Sequence, residues 1–184
     1  MRVLPISVTA VAAALLLTAC GGGDGDPSGS GSGSGSASGG GKSGDTAACR
    51  ISDVGVEVGP VSAAPAAGDT GTVTVTLTGR GTDCTLDGFP RVTLGAGGTD
   101  AEVPADKAAQ GQKLTLAKDT TASFTITYVR GGTGGASLPV DKLTVSLPGA
   151  ASDAQSFPWT YGAVASGTKG VPDASVSAFQ QAGD

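Results

Sequence analysis

Residues 72–78 read Thr-Val-Thr-Val-Thr-Leu-Thr, and this stretch decides the fold. Its apolar and polar side chains alternate without a fault, which is the period of a β-strand that has one face in a core. We expect Val73, Val75 and Leu77 to face inward and the threonines to face water. The stretch therefore predicts a half-buried β-strand.

The same period of two recurs along the chain from residue 47 onward, and glycine-rich turn signals separate the runs. The runs are Val54/Val56/Val58, Val92/Leu94, Leu114/Leu116, Ala122/Phe124/Ile126/Tyr128, Leu143/Val145/Leu147 and Phe157/Trp159/Tyr161, with a weaker one around Ser175 to Phe179. No helical pattern is longer than about one turn. We predict that residues 47–184 form an all-β domain, an antiparallel immunoglobulin-like β-sandwich of seven to nine strands.

The N-terminus carries an export signal. Arg2 precedes an apolar run from Val8 to Leu17, which is too short for a membrane span of about 20 residues and is typical of a signal peptide. The run ends in Leu17-Thr18-Ala19-Cys20, which resembles the bacterial lipobox, where the cysteine is linked to diacylglycerol and becomes the new N-terminus. We predict a lipoprotein signal peptide at 1–19 and lipidation of Cys20. The alternative is an ordinary secretory signal with a chance cysteine.

Residues 20–46 are predicted to be a flexible linker behind the lipidated cysteine. Positions 21–46 hold 12 glycines and 7 serines, including strict Ser-Gly alternation from Ser28 to Ser36. A coil of this composition has a root-mean-square span of roughly 28 Å. The domain is therefore expected to stand clear of the outer face of the cytoplasmic membrane, in an extracytoplasmic setting.

Cys49 and Cys84 remain once Cys20 is assigned to the lipid. Disulfides persist on exported domains, so we predict that these two cysteines are bridged. The bridge would close a loop of 35 residues, worth about 4 kcal/mol on the chain-entropy model. Two free thiols are the alternative.

Composition excludes several functions. The chain has no histidine, which removes His-based metal sites and His-dependent catalytic triads. We expect no enzyme activity, no catalytic residues, no metal and no cofactor, and we read Asp83 and Asp87 as surface carboxylates in turns. From Cys20 onward the chain has ten basic and sixteen acidic residues, a net charge of −6. This charge disfavours binding to nucleic acid and to anionic lipid headgroups. Membrane attachment then depends on Cys20.

Phe157, Trp159 and Tyr161 place three of the seven aromatic residues on one predicted strand face. A strip of this kind could stack on the sugar rings of a cell-wall glycan, which makes Trp159 and Tyr161 candidate ligand-binding residues. The more frequent role of such a strip is sandwich core, with the tryptophan near the disulfide. Both interpretations stay open at this point.

Two segments carry a resemblance to a known family. Cys49-Arg50, and then Cys84-Thr85-Leu86-Asp87-Gly88-Phe89-Pro90-Arg91-Val92-Thr93-Leu94, resemble a family of actinobacterial cell-envelope lipoproteins that carry an immunoglobulin-like domain of unknown function. The resemblance covers roughly residues 49–159, and it implies fold and location without an activity. It maps the family's first cysteine pair onto Cys49 and Cys84. The second pair that many relatives hold in the C-terminal half is missing here.

These observations favour a surface-tethered binding or interaction module whose ligand the sequence does not name. Candidate partners are a cell-wall glycan or an envelope protein. The alternatives are a structural or envelope-maintenance lipoprotein without a discrete ligand site, and an accessory subunit of an enzyme. An apolar patch or a pocket lined by Trp159 and Tyr161 would favour the binding module, and a polar, evenly charged surface would favour the structural role.

Overall fold

The computed structural model of the protein describes residues 46–133, 136–150 and 152–181. The predicted signal peptide at 1–19, the lipidation residue Cys20 and all but the last residue of the predicted linker at 20–46 lie outside the described residues. Among the residues that are described, none belongs to a helix with the length and apolar character needed to span a membrane.

Across the described ranges the chain forms thirteen β-strands and two short 3₁₀ turns, at Ile51–Asp53 and Thr168–Gly170. The strands are β1 (Val54–Ser62), β2 (Thr70–Gly79), β3 (Cys84–Gly88), β4 (Arg91–Ala96), β5 (Thr99–Glu102), β6 (Gln112–Leu116), β7 (Thr121–Val129), β8 (Ser137–Leu138), β9 (Lys142–Ser146), β10 (Ala154–Pro158), β11 (Val164–Ala165), β12 (Ala174–Val176) and β13 (Gln180–Gln181).

The strands pair into two larger sheets and two small ones. The first sheet has the order β1-β2-β7-β12, with β13 also paired to β7, and the second has the order β10-β9-β4-β5. The two-stranded sheets are β11-β8 and β3-β6, and every pair of these strands is antiparallel. The predicted all-β, antiparallel fold class is confirmed.

The centre of the first sheet is the stretch from which the fold was predicted. β2 pairs with the whole length of β7, from Thr70 opposite Val129 to Thr78 opposite Thr121. Val73, Val75 and Leu77 are fully buried, as expected. The intervening threonines are half-buried rather than exposed, because β1 and β7 flank β2 on both edges and their side chains cover it.

Both larger sheets contribute to one buried cluster. Val75 and Phe124 come from the first sheet, and Val92 and Leu143 come from the second. Phe179 closes the cluster near β13, where its ring meets that of Phe124 edge-to-face at a centroid distance of 6.0 Å. Burial of these side chains is the main term that stabilises the fold.

The strand number differs from the seven to nine expected because five of the strands in the described residues are only two to four residues long. These are β5, β8, β11, β12 and β13. An alternating pattern needs at least about four residues to be visible, so backbone pairing of this length leaves at most a weak periodic trace, such as the run around Ser175 to Phe179 that contains part of β12.

Candidate functional site

One arginine lies at the end of β7, on backbone that is fixed from both sides. The N–H of Arg130 donates to the carbonyl of Asp69 at 2.9 Å, and its own carbonyl accepts from Gly68 at 2.8 Å. The next residue, Gly131, donates to the carbonyl of Ala163 at 2.8 Å. The side chain of Arg130 therefore starts from a rigid base between the β1–β2 loop and the segment before β11.

The guanidinium of Arg130 uses only part of its hydrogen-bonding capacity inside the domain. Its Nη1 donates to the carbonyl of Ala64 at 2.7 Å and to that of Pro65 at 3.1 Å. A guanidinium has five N–H donors, and these two bonds involve Nη1 alone. The Nε–H and both hydrogens of Nη2 have no partner within the part of the chain that the structure describes.

Arg130 lines an open cleft with a volume of about 480 Å³, which we call the Arg130 cleft. Its other lining residues are small or polar: Gly131, Gly132, Thr133, Ser137, Pro139 and Ala163. A Cβ on Gly131 would lie 2.6 Å from the hydroxyl oxygen of Ser137, so the missing side chain brings this hydroxyl onto the cleft floor. Ligand sites commonly have volumes of about 300–1,000 Å³, so the cleft is large enough for a small molecule.

Among the described residues, no carboxylate forms an ion pair with Arg130. The ion pairs among the described residues are Arg91–Glu102 at 3.1 Å and Lys142–Asp100 at 3.3 Å, both on the exposed surface of the second sheet. Exposed pairs of this kind contribute about 0–1 kcal/mol each. Arg130 is thus a cation at an open cleft whose charge is not matched within the described structure.

Three aromatic rings form a cluster that is linked to Arg130 through Ala64. The ring of Trp159 meets Tyr128 at a centroid distance of 5.0 Å and Tyr161 at 4.9 Å, both edge-to-face. The hydroxyl of Tyr128 accepts from the N–H of Ala64 and donates to the carbonyl of Tyr161, each at 3.2 Å. Because the Ala64 carbonyl also accepts from Arg130, the backbone of Ala64 connects the aromatic cluster to this arginine.

The structure places the predicted aromatic strip mainly in the core. Trp159 is only 4% exposed, and its indole N–H donates to the carbonyl of Gly162 at 2.7 Å. Tyr161 and Phe157 are half-buried and pack against the core cluster. This burial favours the core interpretation for Trp159 and leaves its ring faces covered by protein.

The strand predicted to carry all three aromatic residues is shorter than expected. β10 ends at Pro158, so Phe157 lies in the strand while Trp159 and Tyr161 follow it. Proline has no N–H for the ladder, and the N–H of Trp159 donates instead to the carbonyl of Asp141 at 2.9 Å. Gly162, at φ 92°, then turns the chain toward β11.

Asp83 and Asp87 are exposed, and Asp87 stands opposite Lys113 in the β3–β6 pair. Within the described ranges, no three acidic, cysteine or histidine side chains come together in a group that could hold a metal ion.

Cys49 and Cys84 form a disulfide with a Cα–Cα distance of 4.8 Å, which confirms the predicted bridge. The segment before Cys49 runs beside β3 and is bonded to it in the parallel sense through Thr85. The N–H of Thr85 donates to the carbonyl of Ala47, and the N–H of Cys49 donates to the carbonyl of Thr85, both at 2.9 Å. Both cysteines are buried.

Arg130, Thr133 and Ser137 were not predicted as functional residues, because the glycine-rich segment after the alternating run of β7 is typical of a turn. The available signal was weak: a lone arginine directly after the alternating run of β7 and directly before a glycine-rich segment. The carbonyls that hold this arginine belong to residues 64 and 65, far away in sequence.

Comparison with known proteins gives a family and no activity. The search of curated proteins finds no match for the chain. Residues 49–180, which include both bridged cysteines and the Arg130 cleft, match the family model described as a domain of unknown function, DUF4232. This chain therefore belongs to the DUF4232 family.

Proposed function

We propose that the protein is a lipid-anchored, extracytoplasmic lipoprotein whose β-domain is a non-enzymatic binding module of the cell envelope. The observation that carries the proposal is the Arg130 cleft, a space of about 480 Å³ lined by an arginine whose guanidinium keeps three N–H donors without a protein partner in the described structure. Donors held in place at an open cleft are available to a ligand. Because folding has already ordered them, binding does not have to supply that free energy.

The location follows from the N-terminal sequence. Leu17-Thr18-Ala19-Cys20 supports lipidation of Cys20 after removal of residues 1–19, and the Gly/Ser composition supports a flexible linker at 20–46. The partner is then a molecule of the envelope, either a cell-wall glycan or a protein. The net charge of −6 from Cys20 onward argues against nucleic acid.

The finer architecture that we propose for residues 47–184 is an immunoglobulin-like sandwich. Its support is that the sheets β1-β2-β7-β12 and β10-β9-β4-β5 both bury side chains in one common cluster. The actinobacterial envelope lipoproteins remain the proposed wider group. Their Cys84–Leu94 motif forms β3, a short turn at Phe89-Pro90 and the start of β4 in this chain.

One observation favours a second candidate, a structural lipoprotein with no discrete ligand site. Val171 is the one large apolar side chain that is exposed on the described surface. A surface without an apolar patch offers little to a protein partner that binds through hydrophobic contacts.

Photo-crosslinking in intact cells separates the two candidates. A photoreactive side chain is placed at Thr133, which lies exposed at the cleft, and in a control variant at Thr82, which is exposed in the β2–β3 loop. A binding module gives a discrete adduct from position 133 and none from position 82. Equal labelling from both positions, or no adduct from either, would support the structural role.

A further inference from the structure

We propose that the Arg130 cleft binds a carboxylate that carries a single negative charge, received by the Nε–H and Nη2–H edge of the guanidinium. The inference rests on the proposed function for the identity of the binding site, and it adds the class of ligand.

The free edge of the guanidinium has the geometry that a carboxylate needs. Nη1 is committed to the carbonyls of Ala64 and Pro65, which leaves the side where Nε–H and one Nη2–H point in parallel. Two parallel N–H donors match the two oxygens of a carboxylate, and such bidentate pairs are the strong hydrogen bonds of proteins. The guanidinium is also held against rotation by its two internal bonds.

Gly162 lies beside this side of the arginine and has no side chain to cover it. A Cβ at that position would lie 3.2 Å from Nε and 3.6 Å from Nη2 of Arg130, so any larger residue would press against the donors. The φ of 92° at Gly162 is also a conformation that side-chain-bearing residues rarely adopt. The turn after Trp159 therefore brings bare backbone up to the guanidinium.

The charge of the cleft matches a monoanion. Arg130 is the one charged residue among those that line it, so the cleft supplies a single positive charge. A phosphate, which carries about 1.5 to 2 negative charges at neutral pH, would keep an unbalanced charge in a protein whose net charge is already negative. The single positive charge of the guanidinium and the single negative charge of a carboxylate cancel.

The cleft also offers hydrogen bonds beside the carboxylate position. The hydroxyls of Thr133 and Ser137 line the cleft, and neither has a hydrogen-bond partner within the described residues. Each hydroxyl can donate and accept. A ligand with an amide next to its carboxylate would use both the arginine and a hydroxyl.

The test is an amide NMR titration of the full-length chain with three probes. N-acetylglycinate carries a carboxylate and an amide, N-acetylglycinamide is its neutral counterpart, and inorganic phosphate is the alternative anion. We expect saturable shifts of the Gly131, Gly132 and Thr133 amides with N-acetylglycinate, and at least tenfold weaker binding of the other two probes. Equal binding of the neutral amide, tighter binding of phosphate, or no saturable shift with any probe would overturn the inference.

Matched variants locate the binding. Arg130→Gln should weaken N-acetylglycinate at least tenfold, whereas Arg80→Gln, which removes the same charge beyond the opposite end of β2, should change it less than twofold. If Arg130→Gln does not fold, Arg130→Lys keeps the charge without the paired donors and should still lose at least fivefold. Unchanged affinity in a folded Arg130 variant would overturn the assignment.

The outcomes also separate this inference from the proposed function. A discrete crosslink from Thr133 without binding of N-acetylglycinate would keep the binding module and reject the carboxylate ligand. Binding of N-acetylglycinate that depends on Arg130, without any envelope partner from position 133, would reject the proposed role in the envelope and keep the anion site.

Discussion

Tyr128 stands between the buried core and the Arg130 cleft. Its side chain is fully buried, its ring packs against Trp159, and its hydroxyl bonds both Ala64 and Tyr161. Since the Ala64 carbonyl accepts from Arg130, a shift of the Tyr128 ring would move the carbonyl that orients the guanidinium. The position of the Arg130 guanidinium thus depends on how Tyr128 packs, because both side chains bond the backbone of Ala64.

Gly71→Ala is expected to disturb this arrangement. A Cβ at Gly71 would lie 2.6 Å from two ring carbons of Tyr128 and 2.7 Å from the backbone nitrogen of Ala64. Overpacking of this kind costs about 1–3 kcal/mol of unfolding free energy, which urea denaturation measures. Gly81→Ala is the control, because nothing lies within 4 Å of the added methyl group. Equal stability of the two variants would contradict the packing described for Tyr128.

Trp159→Ala tests whether the tryptophan is core. Removal of a buried aromatic side chain of this size is expected to cost about 3–5 kcal/mol, and here the hydrogen bond to Gly162 is lost as well. Circular dichroism in urea is the readout, because Trp159 is the chain's single tryptophan and fluorescence disappears with it. The exposed neighbour Thr160→Ala should stay within about 0.5 kcal/mol of the parent. A loss below about 1 kcal/mol for Trp159→Ala would favour the binding strip instead.

At the residue scale, the sequence predicted local burial well and long-range contacts poorly. Val73, Val75 and Leu77 follow from alternation, which is a local property of a strand. The donors of Arg130 are set by carbonyls at 64 and 65, and the cleft needs residues near 133, 137 and 163 to meet. No local pattern encodes such a meeting, so the candidate site could be found only in the folded chain.

At the scale of elements, the disulfide joins the segment before β1 to the start of β3. Replacing both cysteines by alanine is expected to lower the unfolding free energy by about 2–5 kcal/mol, since the loop between them becomes free in the unfolded state. Peptide mapping of alkylated protein supplies the direct check. Cys49 and Cys84 should be unmodified before reduction and alkylated after it, and alkylation without reduction would contradict the bridge.

The long strands were predictable and the short ones were not. β2 and β7 have nine or ten residues and an unbroken alternation, whereas β8 and β11 consist of two residues each. β8 and β11 pair with each other, and Val164 of β11 is also bridged to Arg130 beyond the end of β7. They owe their strand geometry to neighbours that are distant in sequence.

For the whole molecule, the first test concerns attachment to the membrane. Cys20→Ser is expected to move the protein from the membrane fraction to the soluble fraction, because the serine cannot take the thioether-linked lipid and the net charge of −6 from Cys20 onward disfavours anionic headgroups. Ser28→Ala, a change within the predicted linker, should leave the distribution as it is. Cell fractionation followed by immunoblotting measures both, and unchanged membrane association of Cys20→Ser would refute the lipoprotein proposal.

The bridge between Cys49 and Cys84 also has a mechanical consequence for a domain that is pulled from its N-terminal side. Tension that arrives at Ala47 and Ala48 reaches Cys49 and crosses the sulfur–sulfur bond to β3, so residues 50–83, with β1 and β2, carry no load. Reduction would add those residues to the load-bearing backbone and lengthen the fully unfolded chain by up to about 120 Å. Single-molecule pulling of oxidised and reduced protein should show this difference in extension, and equal lengths would mean that the load follows another route.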